Sequence, residues 1–73
     1  MYLKGKTSNI KKALLRNGLT ANEFSKKIGY NRSFVSLVIN AKRYPSPKTA
    51  SIIAKELEME IEDLFEIYEK EEV

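Results

Sequence analysis

Two helix starts with a single glycine between them dominate residues 20–40. Thr20 is followed by Glu23 and then by apolar Phe24. This is the T-x-x-E pattern, in which hydroxyl and carboxylate each satisfy the other residue's backbone N–H. Phe24 and Ile28 fall on one helical face. Gly29 then stops the segment, because a residue without Cβ adopts the left-handed conformation at little cost. Asn31 offers a second cap, and Phe34, Val35, Val38 and Ile39 mark the apolar positions of the next helix. Helices joined by so short a turn must approach closely. Ser25 supplies the small residue at the crossing, Gly29 the tolerance of positive φ, and Val35 and Val38 the core face. The pattern predicts a helix-turn-helix over residues 20–40.

The flanking sequence reads as three more helices. Ser8 or Asn9 caps the first, with Ile10, Ala13 and Leu14 inward and Asn17-Gly18 as its stop. Asn40–Ser46, containing Pro45, is a loop. Ser46 caps the next helix with Pro47 at its first position, where a missing N–H is harmless. Ala50, Ile53, Ala54 and Leu57 give its apolar stripe. A last helix is expected from Glu60, with Ile61, Leu64, Phe65 and Tyr68 repeating the spacing. No segment shows strand alternation. A chain of 73 residues supports one domain with a modest core. The expected fold is all-α: a compact five-helix domain over residues 1–73. It has an N-terminal arm at 1–7 and an acidic helix and tail at 60–73.

Composition narrows the function. The chain has no cysteine and no histidine, so it lacks the usual thiolate and imidazole metal ligands and the commonest general base. No enzyme activity, cofactor or metal is expected. No apolar run nears the ~20 residues that span a bilayer, and MYLKGKTSNI lacks the apolar stretch of a signal peptide. A cytoplasmic location without a membrane partner is expected. The net charge of +3 hides a strong asymmetry. Residues 1–50 carry eleven Lys and Arg against Glu23 alone, whereas residues 51–73 carry nine acids against Lys55 and Lys70. The first part suits a polyanion and the second repels one.

The motif resembles the Cro/phage-repressor (XRE-like) helix-turn-helix family. The resemblance spans roughly residues 8–67. It is carried by Gly18-Leu19-Thr20, Phe24-Ser25-Lys26-Lys27-Ile28-Gly29, Asn31-Arg32-Ser33, Val35-Ser36, Ile39-Asn40-Ala41-Lys42-Arg43, Pro45, Ile53-Ala54-Lys55-Glu56-Leu57 and Asp63-Leu64-Phe65. It implies a lambda-repressor-like domain in a bacterial host, with its third helix in the DNA major groove. The start of the second helix and the loop after the third would touch phosphates. The implied DNA-binding residues are Thr20, Asn22, Asn31, Arg32, Ser33, Ser36, Leu37, Asn40, Lys42 and Arg43. Arg32 suits a bidentate pair with guanine.

Several positions depart from the family pattern. Ala21, Ser33 and Leu37 stand where members often carry glutamine or similar polar groups. Leu14 and Ile39 stand where many members pair Arg with Glu, and Glu58 takes the place of a glycine. Two functions are therefore expected as alternatives. One is a small phage-type transcriptional regulator that binds an operator on double-stranded DNA as a homodimer on a two-fold site. The other is an antirepressor, or modulator of repression, that binds a partner phage repressor through Arg32, Ser33, Phe34, Ser36, Leu37 and Asn40. That reading rests on Phe34 and Leu37 forming an apolar patch beside Arg32, since aromatic residues and Arg are enriched at protein hot spots.

Overall fold

The computed structural model describes residues 2–69. The elements run β1 (Tyr2–Gly5), α1 (Thr7–Arg16), α2 (Ala21–Ile28), α3 (Arg32–Ile39), α4 (Pro47–Glu56), α5 (Ile61–Leu64) and β2 (Phe65–Tyr68). The fold is thus mostly helical but not all-α, because β1 and β2 pair as a two-stranded antiparallel sheet.

Cap chemistry sets the helix boundaries. Thr20 Oγ1 accepts from the Glu23 N–H at 3.1 Å, and Glu23 Oε1 accepts from the Thr20 N–H at 3.0 Å. Asn31 Oδ1 accepts from the Ser33 and Phe34 N–H groups, and Ser46 Oγ from that of Thr49. The first four helices end alike. Gly18, Gly29, Ala41 and Glu58 are all left-handed. The following residues Leu19, Tyr30, Lys42 and Met59 return their N–H groups to Leu14, Ser25, Leu37 and Ala54. These are Schellman closures, which favour glycine at the left-handed site. Glu58 is exposed with φ at 58°, so its conformation is strained for no packing gain. Glu58→Gly is expected to stabilise the fold by about 1 kcal/mol. A rise in thermal midpoint of roughly 4–8 °C would register this.

Apolar stripes from every element meet in one core. Ile10, Phe24, Val38, Ala50 and Leu64 are wholly inaccessible, and Leu3, Leu14, Val35, Ile39, Ile53, Leu57 and Phe65 are buried around them. Leu14 and Ile39 are both core members, so apolar packing occupies the place of an ion pair. Ser25 is the buried polar residue at the α2–α3 crossing, and its hydroxyl donates to the Asn22 carbonyl at 2.7 Å. Lys27 and Glu56 join α2 to α4 at 3.5 Å on the surface, a contact worth at most about 1 kcal/mol.

The two ends depart from the sequence expectation. Within the stretch expected as an N-terminal arm, Tyr2–Gly5 is a strand with Leu3 and Gly5 inward. The final helix stops at Leu64, and Phe65 turns extended at φ −135°, ψ 143°. Phe65–Tyr68 then lies against β1 in the register Tyr2↔Tyr68 to Gly5↔Phe65. The helical spacing of Phe65 and Tyr68 is overridden because the extended backbone finds hydrogen-bond partners in β1. The expected tail falls partly at 70–73, outside the described residues.

Helix α1 also starts earlier than its polar residues suggested, with Lys6 at the N-cap. Ser8 and Asn9 lie inside it. The Asn9 amide instead donates to the Asp63 carbonyl, Lys6 Nζ to that of Glu62, and Thr7 Oγ1 to that of Ile39. These bonds fasten α1 to α5 and to the end of α3. Tyr2 stacks on Tyr68 with centroids 4.9 Å apart and meets Tyr44 at 4.6 Å, tying the sheet to the loop after α3.

Candidate nucleic-acid interface

Helix α3 owes its orientation to three residues. Val35, Val38 and Ile39 are buried, so the opposite face must point outward. That face carries Arg32, Ser33, Ser36 and Leu37, which together line a shallow surface depression. Leu37 is 41% exposed. No acidic residue lies on α3.

The flanks are basic or rich in N–H donors. The capping box consumes the N–H groups of Thr20 and Glu23, leaving those of Ala21 and Asn22 in the first turn of α2 without an intrahelical acceptor. Glu23 places one negative charge at this end. Beyond α3, Asn40 caps the helix and its amide donates to the Ser36 carbonyl at 2.9 Å. Ala41 reverses the chain, and Lys42 and Arg43 follow, both exposed.

Arg43 does not hang free. Its guanidinium carbon lies 5.4 Å from the centroid of Phe34, whose other neighbour, Tyr30, stacks at 5.8 Å. Cation–π contact of this kind is worth about 0.5–1 kcal/mol at an exposed site and holds the charge beside α3. Phe34 is consequently half-buried against the core. The expected Phe34–Leu37 patch therefore reduces to Leu37. Tyr30 further bonds Thr49 through its hydroxyl at 3.3 Å, linking this cluster to α4.

The positions named from sequence thus divide by what their polar atoms do. Arg32, Ser33, Ser36 and Leu37 share the open face of α3. Asn22, Lys42 and Arg43 are exposed at its margins. Thr20, Asn31 and Asn40 spend side-chain hydrogen-bonding groups on caps. Sequence reasoning missed a mostly apolar recess of about 290 Å³ between α1, α2 and α3, where Leu14, Leu15, Leu19, Ala21 and Ile39 are joined by Lys11, Ser36 and Asn40. Leu15, 79% exposed, was the signal, since it lies off the inward stripe of α1. The Arg43–Phe34 contact had no local signature.

A two-helix motif with an outward second helix and basic flanks defines a DNA-binding domain of regulatory type. The helix-turn-helix family model matches residues 10–64, and the chain belongs to that family, in its Cro/repressor-type branch. No curated protein and no solved structure matches the chain. Among the described residues, no helix is long and apolar enough to cross a membrane.

Proposed function

We propose that the protein is a sequence-specific operator-binding regulator of a phage-type gene switch. The outward row of Arg32, Ser33, Ser36 and Leu37 carries this reading. A helix fits the major groove, and these four side chains are the ones not engaged in holding α3 in place. Arg32 reads guanine through its paired N–H groups. Ser33 and Ser36 bond to base edges or phosphates, and Leu37 meets a thymine methyl. The free N–H groups of Ala21 and Asn22 receive one phosphate. Lys42 and Arg43 neutralise phosphates beyond the helix end. Thr20, Asn31 and Asn40 hold these elements in place.

Fluorescence anisotropy with labelled duplexes, including DNA flanking the gene, tests the reading. Binding should weaken with salt at a log–log slope of about −0.9 per neutralised phosphate. Lys42→Ala should flatten that slope by about one unit and leave sequence preference intact. Arg32→Ala should weaken specific binding by about 10–100-fold and relax preference at one base pair. Absence of duplex binding at low salt would refute the reading.

The recess beside α3, together with exposed Leu37, favours a second reading. In it, the same face docks on a partner repressor and alters that protein's DNA binding. Leu37→Asp would then weaken the heterocomplex with a repressor encoded nearby. A complex indifferent to substitutions across residues 32–37 excludes it.

A further inference from the structure

We propose that Phe34 is a positioning residue for DNA binding: its ring holds the Arg43 guanidinium beside α3 with its charge uncompensated, ready for a phosphate. The role rests on the operator-binding reading. Two kinds of partner can fix an arginine, and they differ in what they leave of its charge. A carboxylate holds the guanidinium and cancels the charge. An aromatic face attracts it through the ring quadrupole and cancels nothing. Arg43 has the second kind, with its guanidinium carbon 5.4 Å from the Phe34 centroid. Among the described residues, no acid pairs with it.

Both sides of this contact are anchored. On the loop side, the Lys42 N–H donates to the Leu37 carbonyl at 2.8 Å. Tyr44 packs on Tyr2 at 4.6 Å, and Pro45 is buried. The backbone is thus fastened before and after Arg43. On the ring side, Phe34 is half-buried and stacks on Tyr30 with 21° between the planes. The Tyr30 hydroxyl shares a hydrogen bond with Thr49 Oγ1 at 3.3 Å, which ties the ring stack to α4. A side chain ordered in advance avoids the entropic cost of immobilisation on binding, equivalent to about 2–10-fold in affinity.

The placement also suits a helix lying in a groove. Helical spacing puts Phe34 and Leu37 on one margin of the open face of α3, and Ser36 and Ile39 on the other. The second margin adjoins Ala21, at the start of α2. Arg43 therefore stands across α3 from the free N–H groups of α2, where a second phosphate would be met.

Fluorescence anisotropy with a labelled duplex from the DNA flanking the gene tests the role in the unaltered chain, Phe34→Leu, Arg43→Ala and the double variant. Phe34→Leu should bind about 2–10-fold more weakly, with an unchanged salt slope because the charge remains. Arg43→Ala should weaken binding and flatten the slope by about one unit. Adding Phe34→Leu to Arg43→Ala should then cost nothing further. A merely structural Phe34 would weaken both backgrounds alike. Phe34→Tyr, which keeps the ring, should bind like the unaltered chain. Circular dichroism verifies that each variant is folded at the assay temperature. Without DNA, the Arg43 side-chain proton resonances should be displaced by the ring current in the unaltered and Phe34→Tyr chains and not in Phe34→Leu. Duplex binding with equal losses in both backgrounds, or no ring-current displacement in the unaltered chain, overturns the positioning role alone. No duplex binding by the unaltered chain overturns it together with the operator-binding reading.

Discussion

Phe24→Ala is expected to destabilise the protein by roughly 3–5 kcal/mol, the usual range for deleting a buried aromatic ring. Phe24 has no accessible surface, and its helix packs against both α3 and α4. Removing the ring opens a void where these helices meet, and backbone held by caps at Thr20 and Asn31 has little freedom to collapse into it. Stability of about 0.05–0.15 kcal/mol per residue makes this loss a large share of the total. Urea titration followed by circular dichroism should show a much lower midpoint. Leu37→Ala, by contrast, removes a side chain that does not belong to the core, and should shift the midpoint by less than about 0.5 kcal/mol. The two variants together separate residues that hold α3 from residues that α3 presents.

Gly5→Ala is expected to detach the sheet from the helices, at about 1–3 kcal/mol. A Cβ at this position would sit 2.5 Å from the Val38 carbonyl oxygen and 3.2 Å from the Ile10 side chain. The first of these is backbone near the end of α3 and cannot rotate aside. Strand β1 must then withdraw, taking β2 with it through the ladder. Hydrogen exchange should show loss of protection at the bonded residues Lys4 and Glu66, while amides in α2 and α4 keep theirs. Retained protection at Lys4 and Glu66 would mean that α3 yields instead, and DNA affinity would be the quantity to fall.

Local signals made most of the helical scaffold legible. The Thr20–Glu23 box, the Asn31 and Ser46 caps and the stops at Gly18 and Gly29 are each decided within a few residues. Ala41 makes the same left-handed turn without glycine, so composition did not mark it as a closure, whereas the family pattern marked Glu58 as standing in a glycine's place. The sheet was hidden for a related reason. One of the two inward residues of β1 is Gly5, which erases the apolar alternation, and four-residue strands are too short to display a period. Whether Phe65–Tyr68 continues a helix or pairs as a strand depends on β1, far away in sequence. At the interface, the outward row of α3 was readable because Val35 and Val38 define the inward one. The partial burial of Phe34 was not, since Tyr30 and Arg43 reach it only through the folded turn and loop.

The pairing of residues 2–5 with 65–68 also bears on the order of folding events. Closing a long loop carries an entropic cost that grows with its length, and contacts distant in sequence form slowly. The α2–α3 hairpin closes over a few residues, whereas the strands must find each other across nearly the whole described chain. The helical hairpin therefore forms early, and the strands zip together on a helical surface that already exists. Unfolding is expected to reverse the sequence: the tyrosine stack and its strands open first, and α3 is among the last elements to lose its support.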